Sequence, residues 1–328
     1  MSAPLLRVDD LNISFRTDAG TIHPAKGLSF EVAPGEVVGL VGESGSGKSL
    51  TAKALLGLVE PASAVRAGSV TYKEQDILRI SRHALFELRA RDLAMIFQDP
   101  MSSLNPLMTI GHQLMRVYLK HGPMNGTQAE RRAAARKRAI YLLEKVRIPD
   151  PESRLAQYPH QFSGGMRQRV MIALALMCGP ALLVADEPTT ALDVTVELQV
   201  IELLKSLQAE FGMSVIFISH NLGAVARLCD RVMVMYAGRI VESGPVARVL
   251  GAPAHPYTRA LLASMPRGRK GEVPLNPIRG EPPNLARLAE GCPFRPRCDA
   301  AGPGCEVEQP YRTAQQGHFA ACHRVVTP

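Results

Sequence analysis

The chain has 328 residues, 46% of them apolar, enough for two domains or for one large domain with an appendage. Its formal charge is +8, from 38 Lys and Arg against 30 Asp and Glu. That excess suits nucleic acid, an anionic membrane surface or phosphate ligands and does not choose among them. The stretch Met1–Arg7 lacks an apolar leader core. The longest apolar run, Val170 to Ala185, is broken by Gly179-Pro180 and is too short to cross a bilayer. A cytoplasmic protein is therefore expected, with any membrane link made through partners.

Residues 5–34 alternate apolar and polar side chains and predict antiparallel strands joined by the turn Asp18-Ala19-Gly20. Phe15 falls near a strand end, where it suits stacking on an adenine ring as well as an ordinary place in a sheet. The run Glu36–Val41 then predicts a buried parallel strand, and Leu50–Gly57 a helix. Between them, Gly42 to Ser49 reads G-x-x-x-x-G-K-S, the phosphate-binding loop pattern. A strand–loop–helix turn points free backbone N–H groups and a positive helix end at the loop, which suits a polyphosphate. Gly42, Gly45 and Gly47 let the backbone close around the anion. Lys48 is placed to reach the β- and γ-phosphates, and Ser49 to hold Mg²⁺.

Further along, Gly68–Tyr72 predicts a strand, Ile80–Arg91 a helix, and Leu93–Phe97 a strand ending at Gln98. A glutamine there, followed by a Pro- and Ser-rich loop, is suited to sensing a ligand. Residues 106–180 read as a helical insertion in an α/β core. Within it Thr127-Gln128-Ala129-Glu130 is a capping box opening a basic helix whose charges read as a solvated face. Ser163 caps the next helix, and Gly164-Gly165 allows an anion to approach its N-terminus. The apolar run Ala181–Ala185 ends in Asp186-Glu187, one carboxylate suited to Mg²⁺ and its neighbour to activating water. Thr189–Asp193 turns into a helix Val196–Phe211, and the strand Ser214–Ser219 ends at His220, a suspicious place for a histidine near an acidic pair.

Taken together these stretches resemble the ATP-binding subunit of ABC transporters. The resemblance rests on the phosphate loop Gly42–Ser49, Gln98, the signature Ser163-Gly164-Gly165-Met166-Arg167-Gln168, Asp186-Glu187, the turn Ala191-Leu192-Asp193 and His220, in family order over about residues 5–250. It implies an α/β fold: a RecA-like P-loop ATPase core with an antiparallel β subdomain and a helical signature subdomain at about 106–180. It also implies two such domains facing head to tail with ATP between the phosphate loop of one and the signature of the other. Phe15, Ser44, Leu50 and Asp193 would then join the nucleotide-contacting set. Gln98, Ser49 and Asp186 would meet Mg²⁺, Glu187 would activate water and His220 would contact the γ-phosphate. Phe162, Met166 and Asn221 depart from the family's commoner residues without removing a phosphate contact.

A narrower resemblance, to the dipeptide/oligopeptide importer ATPases that also include nickel and glutathione importers, is carried by Phe97–Pro106, Tyr158–Met166 and His255-Pro256-Tyr257-Thr258. It implies a similar but non-identical partner ATPase, two permeases and an extracytoplasmic binding protein. It places the chain peripherally on the cytoplasmic face of a bacterial inner membrane, with no nucleic-acid partner. The rival class is a soluble ABC ATPase acting on DNA, ribosomes or assembly machinery; such chains often carry two fused halves or a long coiled coil, and neither is present.

Residues 251–328 change composition. Periodicity stops after Leu262, and four of the six cysteines lie here: Cys292, Cys298, Cys305 and Cys322. Four thiols on a segment too short and polar for its own core suggest a metal clip. Zinc fits four thiolates, and His318 and His323 are spare ligands; free cysteines are the plain alternative. The importer resemblance implies a [4Fe–4S] cluster on this set, which four cysteines can ligate. Cys178 and Cys229 read as core residues in helical settings.

Overall fold

The computed structural model describes residues 3–18, 20–59, 65–89, 91–190, 192–265, 276–288 and 290–325. Ala19 and Ala191, which the sequence places in a hairpin turn and in the turn before Asp193, lie outside them. The chain divides into two compact units. One comprises Met1–Val32, Val37–Leu78 and Ser219–Pro328, and the other Ala33–Glu36 with Arg79–Ile218.

In the first unit, alternating side chains give the expected hairpin. Leu6–Thr17 and Gly20–Val32 pair antiparallel, from Leu6 opposite Val32 to Thr17 opposite Gly20. Val65–Tyr72 pairs with the other edge of Leu6–Thr17 and is followed by the short strand Gln75–Asp76, completing a four-stranded antiparallel sheet. The apolar strand Val37–Val41 is buried along its whole length, as expected of a strand covered on both faces. It runs parallel to Arg231–Tyr236, with Val38 opposite Arg231 and Val41 opposite Val234. Arg239–Pro245 folds back antiparallel on Arg231–Tyr236.

The tail is more ordered than its composition predicts. Arg312–Gln315 and His318–Ala320 form a hairpin, and His318–Ala320 pairs with Arg239–Pro245. The segment thus extends an existing sheet and adds a small buried cluster of Ala320, Cys322 and Val325. His318 is not a spare ligand. It is 1% exposed, and its Nε2 lies 2.6 Å from Oε1 of the fully buried Glu242. That carboxylate also accepts the N–H groups of Ala254 and His255.

In the second unit three parallel strands lie side by side, Leu93–Ile96, Leu182–Asp186 and Ser214–Ile218, with Leu182–Asp186 in the centre. The helices Ile110–His121, Gln128–Lys145 and Gly164–Ala175 fill the segment read as helical. The capping box at Thr127 and Glu130 is formed in both directions. The helix Arg82–Leu88 is shorter than the stretch that suggested it, and Val194–Phe211 starts two residues earlier than expected because Asp193 caps it. Cys178 and Cys229 follow the ends of helices instead of lying inside them. Cys229 is buried and Cys178 half-buried; burial pushes the Cys178 thiol up to about 11 and raises that of Cys229 further. Among the described residues no helix is long and apolar enough to cross a membrane.

Candidate active site

The phosphate loop sits at the C-terminal end of Val37–Val41 and opens the helix Lys48–Leu55, so a positive helix end faces the loop, as suits an anion. Its glycines are required by geometry. Gly47 has φ +105, and a Cβ there would fall 1.9 Å from the Pro24 carbonyl oxygen. At Gly42 a Cβ would fall 2.1 Å from the Met235 carbonyl oxygen. Gly45 needs only its positive φ of +78, with open space around it. Lys48 is 5% exposed, and its Nζ donates to the carbonyls of Gly42 and Glu43, both at 2.9 Å. The ammonium is thus folded into the loop it would serve. Ser44 is exposed, Ser49 and Leu50 are half-buried, and Phe15 stands half-buried opposite Ile22 in the hairpin. His220 is exposed beside Asn221, which caps the helix Leu222–Leu228 by accepting from Gly223 and Ala224. An asparagine serves that cap as well as an aspartate does.

The second unit gathers the carboxylates. Ile96 is level with Ala185 and Asp186 with Ile218, so Gln98 and Asp186-Glu187 emerge from the same edge of the parallel strands. Ligand sites in open α/β sheets form at this edge. Asp186 is 4% exposed. Glu187 has φ +47, a costly conformation for a non-glycine residue. Its N–H donates to the Ile218 carbonyl at 3.0 Å, which secures the turn. Its Oε2 accepts from Gln98 Nε2 at 3.1 Å and from Thr190 Oγ1 at 2.8 Å. The direct Gln98–Glu187 contact pairs two residues that the sequence singled out separately. Thr190 was passed over in the sequence; its only signal is a hydroxyl three residues after the glutamate.

Ser163 caps the helix Gly164–Ala175 by accepting from the Met166 N–H at 3.3 Å. Ser163, Gly164 and Asp193 are exposed. A Cβ at Gly165 would fall 2.9 Å from Val196, so that glycine permits close approach of the helix Asp193 caps.

In the first unit, one cavity is lined by Cys292, Cys298, Cys305 and Cys322, together with Phe294 and His323. Cys305 and Cys322 are buried, and burial raises the thiols of Cys292 and Cys298. The Cys292 N–H donates to the Cys305 carbonyl at 2.9 Å, and His323 Nδ1 stands 3.8 Å from Cys305 Sγ. Cysteines separated by up to thirty residues are therefore brought to one place. Among the described residues, however, no group of three or more His, Cys, Asp or Glu side chains is arranged to hold a metal ion.

A phosphate loop after a buried parallel strand, a strand ending in two carboxylates and a serine-capped Gly-Gly helix define an ATP-binding cassette, and the chain belongs to the ABC transporter ATP-binding family. The ABC transporter family matches residues 25–190, and the oligopeptide/dipeptide transporter C-terminal region matches residues 241–305. The oligopeptide transport ATP-binding protein OppD of Salmonella typhimurium is 47% identical over 322 residues, 98% of this chain and 94% of the relative. The dipeptide transport ATP-binding protein DppD of Bacillus subtilis is 46% identical over 97% of this chain and 94% of its own length. Among solved structures, an ATP-binding cassette in a dimeric post-hydrolysis state bound to ADP and Pi covers 74% of this chain and 98% of its own, at 25% identity with a TM-score of 0.65.

Proposed function

We propose that this chain hydrolyses ATP to drive uptake of oligopeptides or dipeptides through partner permeases. The carrying observation is the 47% identity to an oligopeptide transport ATP-binding protein across 98% of the chain, which extends through the C-terminal region as well as the cassette. In this reading Gly42, Gly45, Gly47 and Lys48 bind the phosphates, Phe15, Ser44 and Leu50 flank the nucleotide, and His220 contacts the γ-phosphate. Lys48 leaves the Gly42 and Glu43 carbonyls for the phosphate oxygens. Ser49, Asp186 and Gln98 hold Mg²⁺, which neutralises charge developing on the phosphates. Glu187, aimed by Gln98 and Thr190, takes the proton of the attacking water. Movement of Gln98 toward the nucleotide would take its donor away from Glu187, so nucleotide arrival and activation of the base are linked.

Ser163, Gly164 and Gly165 close on the nucleotide of a second, homologous ATPase, and Asp193 couples the two sites; the exposure of Ser163, Gly164 and Asp193 leaves them open to such a partner. Two permeases and an extracytoplasmic peptide-binding protein complete the importer, with this subunit peripheral on the cytoplasmic face of the inner membrane. Affinity purification from membranes tests the assembly. Permeases and a second ATPase are expected to co-purify, whereas recovery with ribosomes or DNA would refute it.

We further infer that the four tail cysteines ligate a [4Fe–4S] cluster. Zinc draws four sulfurs to about 2.3 Å from one centre. All four cysteines line one cavity, and a [4Fe–4S] cluster takes four cysteine ligands. The four thiolates would anchor the tail to such a cluster, which would give it a centre that oxidation can destroy. Anaerobically purified protein is expected to contain about four iron and four sulfide per chain. Cys→Ser at Cys292, Cys298, Cys305 or Cys322 lowers both. About one zinc per chain, or full metal retention in all four variants, contradicts the assignment.

A further inference from the structure

The segment between Cys292 and Cys298 carries two side chains that thiol ligation does not explain. Phe294 is 2% exposed and packs edge-on against Tyr236 and Tyr257, with both ring centroids at 5.3 Å. Arg297 lies in the turn Arg295–Arg297, directly before Cys298, and its side chain is 6% exposed. Its guanidinium donates twice to the Glu43 carboxylate, Nη1 to Oε2 at 2.6 Å and Nη2 to Oε1 at 3.0 Å. Nη1 also donates to the Tyr236 hydroxyl at 3.3 Å, and Nε to the Arg279 carbonyl at 2.8 Å.

Glu43 is the second residue of the phosphate loop. Its N–H donates to the Tyr257 hydroxyl at 2.9 Å, and its carbonyl accepts Lys48 Nζ. The residue is therefore held at its N–H, its carbonyl and its carboxylate, and two of those three holds come from outside the loop. Phe294 alone would anchor the segment by burial. Arg297 adds a directional, bidentate contact to an acidic partner in the loop, and breaking a largely buried pair of this kind leaves a charge uncompensated. The segment has cysteines at both ends, so whatever the four thiols bind fixes the span from which Phe294 and Arg297 project.

We propose that the segment Cys292–Cys298 is a clamp on the phosphate loop. Arg297 is a positioning residue for nucleotide binding, and the occupancy of the four-cysteine site sets ATP affinity through it. The second half rests on the reading of those cysteines as a ligand site. It makes the tail a means by which loss of the bound group, for example on oxidation, is felt by the loop.

The test is equilibrium binding of a fluorescent ATP analogue to the full chain, with iron, sulfide and zinc measured on every sample. The native protein is compared with Arg297→Ala, Arg297→Lys, Cys298→Ser and the Arg297→Ala/Cys298→Ser double variant. Arg297→Ala and Cys298→Ser each weaken binding by about 5- to 150-fold, the usual range for coupling between sites. The double variant binds no more weakly than Arg297→Ala alone, and Arg297→Lys retains part of the affinity. Glu43→Gln, which keeps the side-chain shape and removes its charge, weakens binding in a fold that circular dichroism shows intact. Native affinity in both Arg297→Ala and Glu43→Gln overturns the clamp. Native affinity in Cys298→Ser that has lost its metal overturns control by the cysteine site while leaving Arg297 in its role. Native protein without iron, sulfide or zinc defeats the ligand reading separately, because Arg297→Ala still decides the clamp.

Discussion

Glu187→Gln is expected to bind ATP and to turn it over about 10²- to 10⁴-fold more slowly, the loss typical of removing a general base. The substitution keeps the size of the side chain and an oxygen able to accept from Gln98 or Thr190, so the local structure survives. What it removes is proton acceptance. The position of Glu187 argues that this is its purpose. The residue stands at φ +47 immediately after a buried strand, secured by its N–H to the Ile218 carbonyl and aimed by two side-chain donors. Steady-state phosphate release, measured alongside nucleotide binding, checks the expectation. Turnover at the native rate would show that water is activated elsewhere. Thr190→Val should produce a smaller loss in the same direction, because Gln98 still holds the carboxylate.

The second large effect is at Gly47. Alanine there must place a Cβ 1.9 Å from the Pro24 carbonyl oxygen and 2.8 Å from the Met235 methyl, at φ +105. The methionine can move, but the other atom is a backbone oxygen of the strand Gly20–Val32, held between the paired residues Ile22 and Ala25. The loop must therefore shift, and Lys48 shifts with it. Gly47→Ala is expected to abolish measurable ATP binding. Gly45→Ala is the matched comparison, since it shares the positive φ and meets nothing within 4 Å. It should cost about 1–3 kcal/mol of backbone strain and leave binding detectable. Equal, native-like binding by both variants would contradict the close-approach argument for the loop.

The legible parts of this chain were those with local signals. The phosphate loop, Asp186-Glu187, Ser163 and the capping box each combine a residue pattern with a strand end or helix start, and the structure forms each turn accordingly. The buried strands Val37–Val41, Leu182–Asp186 and Ser214–Ile218 announced themselves as apolar runs. What stayed hidden depends on residues far apart in the chain. Arg297 and Glu43 are 254 positions apart, and neither looks unusual in its own neighbourhood. The strands Arg312–Gln315 and His318–Ala320 are too short to show alternation, and exist because Arg239–Pro245 offers an edge. His318 looked like a spare metal ligand because its partner, Glu242, is 76 residues away. The four cysteines could be counted in the sequence, but their gathering around one cavity was visible only in the fold.

The central claim is that ATP hydrolysis by this chain powers peptide uptake. It is tested most directly by measuring uptake of labelled di- and oligopeptides in cells whose own copy of the gene is deleted, complemented with either the native sequence or Glu187→Gln. The native chain is expected to restore uptake, and Glu187→Gln, present at the same level, is not. Peptide uptake that is unaffected by the deletion, or restored equally by the two, would contradict it.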